Sequence, residues 1–291
     1  MFGQSNIWVV KFVTNMKIAL IGENSFLGKR LAEIHSINED QILYYSARFG
    51  CKEDKYYLNI SVDVDIVYYF PAVFKSNDYE SLRSLFEVNT MNVLKLINTL
   101  KSKNMKCLFF FPSTRLVYGS SPLRQREDST LNPISDYAVS KYLAESVIKN
   151  ELSGDSNITY AILRLGVIYS NSDASYENTG TLKFMKDSLA DKGRISLYGD
   201  GSLKRTFTNI DDVCSVFFRL SRGSFPSGIY NCGGQDLSLK EVAYYLTKDH
   251  TLIRYEEWPK EALRAESGST IFDSKKLDDL LNFEYQLLIE E

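Results

Sequence analysis

The segment KIALIGENSFLGKRLAEIHS, residues 17–36, constrains the fold of this chain more than any other. Lys17–Ile21 is a short apolar run with the length of a buried strand. Phe26, Leu27, Leu31 and Ile34 then recur at helical spacing. Gly22 and Gly28 bracket the turn between them in a G-x-x-S-x-x-G arrangement. Glycines here permit a tight turn and let a pyrophosphate approach backbone N–H groups at a helix N-terminus. Ser25 fills the slot where a third glycine is usual. It is small enough for close approach, and its hydroxyl is a further donor to a phosphate.

The first half of the chain repeats this rhythm. QILYY (41–45), KYYLNI (55–60) and DIVYYF (65–70) read as short strands. A helical pattern spans about Tyr79 to Ser102, with Leu85, Val88, Val93, Leu96, Ile97 and Leu100 as its buried stripe. CLFFFPS (107–113) reads as a strand, a helix follows through Tyr137, and ITYAILRLGVIY (158–169) is again a strand. Strands alternating with helices predict a Rossmann-type α/β fold, a doubly wound parallel sheet with helices on both faces. Right-handed crossovers then put the C-terminal ends of all strands on one edge, where ligands bind. After Tyr169 the rhythm changes. A polar stretch (170–180) precedes a helix (about 181–192), the strand ISLY, a helix opening at Asp211-Asp212, the unit GIYNCGG, a helix from Ser238 and a last helix over Asp273–Leu281. The expected organisation is a dinucleotide-binding domain over 16–169 and a smaller substrate-binding region over 170–291, some of which returns to the first domain.

Composition narrows the function classes. The chain has 291 residues, 44% apolar and 24% charged, with a formal net charge of −3. That is ordinary for a soluble globular protein and offers no basic surface for nucleic acid. No apolar run approaches the roughly 20 residues of a membrane-spanning helix. Residues 1–15 lack the charged start, apolar centre and cleavage site of a signal peptide. Either Met16 is the natural start or these residues form an extension. Cys51, Cys107, Cys214 and Cys232 are widely spaced with no C-x-x-C pair, as expected of reduced thiols in a cytoplasmic protein. The two histidines, His35 and His250, lie far from each other and from the cysteines. Neither a zinc site nor a serine–histidine hydrolase is expected.

The second strand bears on which dinucleotide binds. An acidic residue about 20 positions past the glycines, at the ligand end of that strand, holds the adenosine ribose of NAD. Glu39 and Asp40 have the right count but precede the strand, at its wrong end. The ligand end reads Ser46-Ala47-Arg48. A hydroxyl and a guanidinium suit a 2′-phosphate, so the expected cofactor is NADP, with NAD as the alternative.

The stretch SDYAVSKYLAE, residues 135–145, sets Tyr137 and Lys141 one helical turn apart on one face. An ammonium beside a phenol favours the phenolate and lowers its pKa. A tyrosine tuned that way exchanges a proton with a hydroxyl or carbonyl near neutral pH.

Taken in order, IGENSFLG, Phe70-Pro71-Ala72, Asn89, PSTRLVYG, PISDYAVSK, LYGDGSLKRTF, IDDV and GIYNCGG make a series. It resembles the extended short-chain dehydrogenase/reductase family of NAD(P)-dependent nucleotide-sugar epimerases, dehydratases and reductases, from about Met16 to Leu281. By that resemblance Tyr137 is the acid/base acting on a sugar oxygen, and Lys141 holds the nicotinamide ribose. Thr114 bonds the reacting oxygen or relays its proton, and Asn89 supports the site. Gly22, Ser25, Phe26, Leu27 and Gly28 form the pyrophosphate turn. Ala72 is a further cofactor contact, and Asn59 stands where an adenine-binding aspartate is common. Arg205 clamps the substrate diphosphate, with Tyr198 and Lys183 as secondary candidates for the same pocket. The resemblance also implies a homodimer through the helices near 79–102 and 136–150, and a home in surface-polysaccharide biosynthesis.

The departures from the family pattern discriminate between its reactions. Dehydratases carry an Asp-Glu pair directly after the active threonine, whereas this chain has Arg115-Leu116. Leucine transfers no proton and arginine keeps its own, so dehydration is disfavoured. Val167 stands where many members have a substrate-contacting asparagine, and Asn92 where a small glycine is usual. Two chemistries share the remaining residues: reduction of a keto-sugar nucleotide with exchangeable NADPH, and epimerisation with a retained NAD. Arg48 without an acidic neighbour favours the reductase. A non-catalytic cofactor-binding module is the remote reading, since Thr114, Tyr137 and Lys141 are all kept.

Overall fold

The computed structural model describes residues 15–47, 52–170, 181–259 and 268–289. Its centre is a six-stranded sheet in the order β2-β1-β3-β4-β5-β9. The strands are β1 (Lys17–Ile21), β2 (Gln41–Tyr45), β3 (Ile66–Tyr69), β4 (Cys107–Thr114), β5 (Ile158–Leu165) and β9 (Gly228–Asn231). Every pairing is parallel. Both faces are covered, so strand side chains alternate between two cores. Ile18, Leu20, Ile66, Tyr68 and Phe110 join one core, which α1 (Phe26–Ile37) and α6 (Ile210–Arg222) cover. Ala19, Ile21, Val67, Tyr69, Phe109 and Phe111 join the other, under α3 (Asn92–Ser102) and α4 (Asp136–Glu151). The chain steps from β1 outward to β2, then crosses back to β3 on the opposite side. That reversal opens a crevice at the C-terminal ends of β1 and β3.

Three sequence expectations are corrected. KYYLNI is not a strand but part of two tight helical turns, Glu53–Lys55 and Tyr57–Asn59. Tyr57 and Ile60, three residues apart, are both buried, a spacing that suits a turn with three residues per revolution and not a strand. The helix over 79–102 is interrupted: α2 (Tyr79–Phe86) passes through a π-helical turn, Glu87–Met91, into α3. The wide turn takes Val88 off the buried stripe and lets its carbonyl accept the Tyr69 hydroxyl at 2.7 Å. Asn89 and Thr90 are buried in its place, against Ser140 of α4. ITYAILRLGVIY is two strands. At Gly166 a side chain would meet the Thr206 carbonyl oxygen at 2.2 Å, and there the chain leaves the main sheet.

Beyond that break, β6 (Val167–Tyr169) pairs parallel with β8 (Lys204–Asn209), and β8 pairs antiparallel with β10 (Gln235–Ser238). β7 (Ile195–Tyr198) pairs with β11 (Ile253–Glu256). Leu182 and Met185 of α5 (Thr181–Lys192) and Leu239 and Val242 of α7 (Leu239–Thr247) pack with these small sheets in a core of their own. The second half also returns to the first: β9 extends the main sheet, while α6 and α8 (Lys275–Leu281) lie against its core. Cys107, Cys214 and Cys232 are buried free thiols. No helix among the described residues is long and apolar enough to cross a membrane, and no group of three or more metal-ligating side chains occurs among them.

A buried ion pair ties α4 to the sheet. The Arg164 guanidinium of β5 donates to Glu145 of α4 at 3.1 and 2.7 Å, and the two side chains are 1% and 2% exposed. Arg164 also donates to the Tyr118 hydroxyl at 2.8 Å, which donates to Asn231 of β9 at 2.7 Å. Ser113 of β4 donates to the same carboxylate. Breaking one side of such a pair strands a charge in a dry interior. Arg164→Met is expected to lower the unfolding free energy by about 3–5 kcal/mol, read as a lower urea midpoint at unchanged slope.

Candidate active site

A cleft of about 1240 Å³ follows the crevice, walled by the chain just past the C-terminal ends of β1, β2, β3, β4 and β5. That exceeds the volume of a usual small-molecule pocket, roughly 300–1,000 Å³. One end is the glycine turn. Ser25 caps α1 by accepting the Gly28 N–H at 3.0 Å and still has its own proton to donate. A side chain on Gly28 would meet the Gly22 carbonyl oxygen and the Ser25 hydroxyl, each at 2.7 Å. The turn is therefore closed to anything larger, and Gly22, Ser25, Phe26 and Leu27 line the cleft where the helix begins. These residues fit a dinucleotide pyrophosphate: a helix N-terminus, a small hydroxyl and no bulk in the way.

Past β2, Ser46 and Ala47 reach the cleft wall, while Arg48 lies outside the described residues. At the other end of β2, Glu39 is exposed and Asp40 is buried against His35 and Arg222. Neither lines the cleft. Asn59 is exposed, donates to the Glu53 carbonyl at 2.7 Å and is not among the lining residues. Tyr56 and Asn92 are lining residues, and the Asn92 side-chain oxygen accepts the Tyr57 hydroxyl at 3.0 Å.

At the other end Thr114, Tyr137 and Lys141 share one wall. Thr114 ends β4, is buried, and accepts the Leu116 N–H at 3.3 Å. Ser135 caps α4 and so sets the phase of the helix that carries Tyr137 and Lys141. Asn89 does not line the cleft but braces it. Its amide accepts from the Val73 N–H and donates to the Val73 carbonyl, each at 2.9 Å, and donates to Ser140 at 2.9 Å. The loop holding Ala72, Val73 and Phe74 is thereby fixed to the helix beside Lys141.

The electrostatics differ from the sequence expectation. The Lys141 ammonium donates to the Pro112 carbonyl at 2.7 Å and sits 4.2 Å from the Phe111 ring centre. No hydrogen bond joins it to Tyr137 among the described residues. Burial pulls Lys141 down to about 7, with the Glu145 carboxylate partly opposing the shift. Burial likewise raises the Tyr137 phenol well above its ordinary value, so Lys141 does not lower it in this arrangement. Desolvation outweighs the pairing that helical spacing alone suggested.

The remaining substrate candidates separate. Arg205 is buried in β8 and donates to the Thr181 hydroxyl at 2.6 Å; Thr181 lines the cleft, so Arg205 stands one residue behind its wall. Tyr198 packs against Trp258, and Lys183 is exposed and paired with Asp187. Neither reaches the cleft. Sequence reasoning missed Phe74, which lines the cleft with its ring 5.0 Å from that of Tyr137. An aromatic residue in the otherwise polar stretch after Val73, at the ligand end of β3, was the available signal.

A Rossmann-type sheet whose ligand edge unites a glycine turn at a helix N-terminus with a threonine, tyrosine and lysine is the pattern of a nicotinamide-dependent oxidoreductase of the short-chain class. A family model described as the NAD dependent epimerase/dehydratase family matches residues 56–233, more than half of the chain, and the protein belongs to that family. It is 26% identical over 198 residues to a putative UDP-glucose 4-epimerase of Methanocaldococcus jannaschii, covering 67% of this chain and 63% of that protein. It is 25% identical over 232 residues to GDP-6-deoxy-D-mannose reductase of Pseudomonas aeruginosa, covering 77% and 74%. The fold matches that of DesIV, a dTDP-glucose 4,6-dehydratase of Streptomyces venezuelae solved with NAD and TYD bound. The TM-score is 0.76 at 20% identity, over 94% of this chain and 92% of that one.

The depressed Lys141 has a measurable sign. The folded chain releases this proton near 7, whereas the unfolded chain holds it to about 10.5. Between those values the unfolded state binds more protons, so stability rises with pH. Without nucleotide, Lys141→Met is expected to be more stable than the parent at pH near 6. That advantage should shrink as pH rises above 7, read from paired urea titrations.

Proposed function

We propose that the protein reduces a keto-sugar linked to a nucleoside diphosphate, with Tyr137 as proton donor and NADPH as the exchangeable hydride source. The convergence of Thr114, Tyr137 and Lys141 on the cleft that begins at the glycine turn carries this reading. When bound, the nicotinamide supplies the hydride. The chain's own residues do the rest. Gly22, Ser25, Phe26, Leu27 and Gly28 hold the pyrophosphate, and Ala72 lies along its path. Lys141 donates to the ribose once a ligand draws it from Pro112. Thr114 holds the sugar carbonyl oxygen, and Tyr137 delivers a proton to it as it becomes a hydroxyl. Asn89 positions the loop and helix that frame these groups. Arg205, through Thr181, backs the diphosphate.

At the ligand end of β2 the described lining residues are Tyr45, Ser46 and Ala47, with no carboxylate to hold a free ribose, which supports NADP and so reduction over epimerisation. Arg115 and Leu116, both lining the cleft after Thr114, supply no acid/base pair for dehydration. The second reading is a nucleotide-sugar epimerase with retained NAD, favoured by the epimerase name of the Methanocaldococcus relative.

The test begins with the purified protein, denatured and assayed for released nucleotide by mass spectrometry. Stoichiometric NAD supports the epimerase. A nucleotide-free protein that binds NADPH more tightly than NADH supports the reductase. Tyr137→Phe is expected to slow turnover by about 10²–10⁴-fold on whichever keto-sugar nucleotide the parent reduces. Unchanged turnover sinks the assignment of Tyr137.

We also propose a homodimer through α2, α3 and α4. Tyr79, Met91, Tyr142 and Leu143 are large apolar side chains left exposed on α2, the π-helical turn and α4. Sedimentation equilibrium is expected to return twice the chain mass; a clean monomer at micromolar concentration refutes the pairing.

A further inference from the structure

A short strap of chain, Val73 to Ser76, is tied to the first turn of α4 on both sides of Phe74. Asn89, buried in the π-helical turn, holds the Val73 N–H and carbonyl, each at 2.9 Å. The same amide donates to the Ser140 hydroxyl at 2.9 Å, and that hydroxyl donates to the backbone carbonyl of Tyr137 at 2.8 Å. At the other end of the strap, Ser76 donates to the Asp136 carboxylate at 2.8 Å. The Phe74 ring, 66% exposed, lies with its centre 5.0 Å from that of Tyr137 at a tilt of 35°.

A large apolar ring left that exposed contributes little to folding through its own burial. What it does is pack on a neighbour. A side chain in the first turn of a helix has more than one staggered χ1 well open to it, and packing selects among them. The ties fix the Phe74 backbone against the Tyr137 backbone, so the Phe74 ring stands at a set place over the phenol. We propose that Phe74 is a positioning residue for Tyr137: its ring, held by the strap, closes one face of the phenol and keeps it turned to the cleft that Thr114 also lines. The proposal rests on the reading of Tyr137 as proton donor and adds what holds that group in place. Burial alone raises the phenol above its ordinary value; the charged residues on the cleft wall, Glu23, Glu87, Lys95, Arg115 and Lys141, add nothing to the rise. Uncovering the ring therefore has a readout that needs no substrate.

That readout is the Tyr137 titration in nucleotide-free protein whose tyrosines carry carbon-13 at Cζ. The line absent from Tyr137→Phe belongs to Tyr137, and its position reports protonation of the phenol. Phe74→Ala should move this titration to lower pH by at least about one unit, because water reaches the uncovered face. Phe74→Leu, which keeps an apolar cover, should move it by less than about half as much. Both variants should keep the parent's urea midpoint, since the position is exposed. The second arm is turnover, with NADPH and a panel of GDP-, UDP- and dTDP-linked ketohexoses. Phe74→Ala should lower kcat by about tenfold to a hundredfold, the cost of misplacing a reacting group, with KM within about threefold of the parent's. In the Tyr137→Phe background the same substitution should change kcat by less than about twofold, as two changes acting through one group do. A Tyr137 line that titrates alike in the parent and in Phe74→Ala overturns the proposal, as does a loss of kcat that persists in the Tyr137→Phe background; either leaves the hydride-transfer reading standing. A parent that turns over nothing on the panel while the line shifts as expected keeps the contact and overturns the proton-donor reading.

Discussion

The buried Arg164–Glu145 pair is the interaction on which the arrangement of the site depends. α4 carries Tyr137 and Lys141, and it must sit at one height against the sheet for them to face Thr114. Apolar packing of Ala144 and Ile148 holds the helix to the sheet but specifies position weakly, because packing tolerates small slides. A bidentate guanidinium–carboxylate pair with its remaining valences filled by Ser113 and Tyr118 does not tolerate them. Glu145 is one turn beyond Lys141, so the pair also fixes the distance from the lysine to β4. The cost is a pair of charges held in a dry interior, which such a network offsets only while every member is present.

Burial, more than pairwise charge, sets how Tyr137 and Lys141 titrate. The four-residue spacing of Tyr137 and Lys141 is legible in the sequence, and it does place both on the cleft wall. The sign of their titration is not legible, because desolvation depends on what the rest of the chain stacks around them. Phe111, beneath Lys141, comes from β4, and Phe74, over Tyr137, comes from the loop after β3. Both neighbours are remote in sequence. The Lys141 ammonium is drawn to the Pro112 carbonyl, away from Tyr137, and burial favours the protonated phenol.

The same distinction runs through the fold. The glycine turn and the alternation of strand and helix are local properties, and they were readable. Three features were set by tertiary context. Tyr57 and Ile60 form a buried turn because α3 lies over them, and no local pattern distinguished that from a strand. The π-helical turn exists where Asn89 and Thr90 meet Ser140 and where Val88 meets Tyr69, partners found only after folding. Gly166 ends β5 because Thr206 approaches from forty residues away. Of the candidate site residues, those on the glycine turn and on α4 reached the cleft together. Tyr198 and Lys183 did not, because their positions depended on how the small sheets pack and not on any motif of their own.

The placement of β9 at the edge of the main sheet has a consequence for how the protein is made. The ribosome completes β5 at Leu165, but the strand that covers its outer edge ends only at Asn231. Until then β5 presents unpaired backbone groups, and Arg164 lacks the Asn231 link in its network. The nascent Rossmann half is therefore an unfinished object that must wait some sixty residues for its last strand, several seconds at about 5–20 residues per second. During that interval its open edge is the surface most exposed to mispairing, and the cell's chaperones have their best opportunity to protect it.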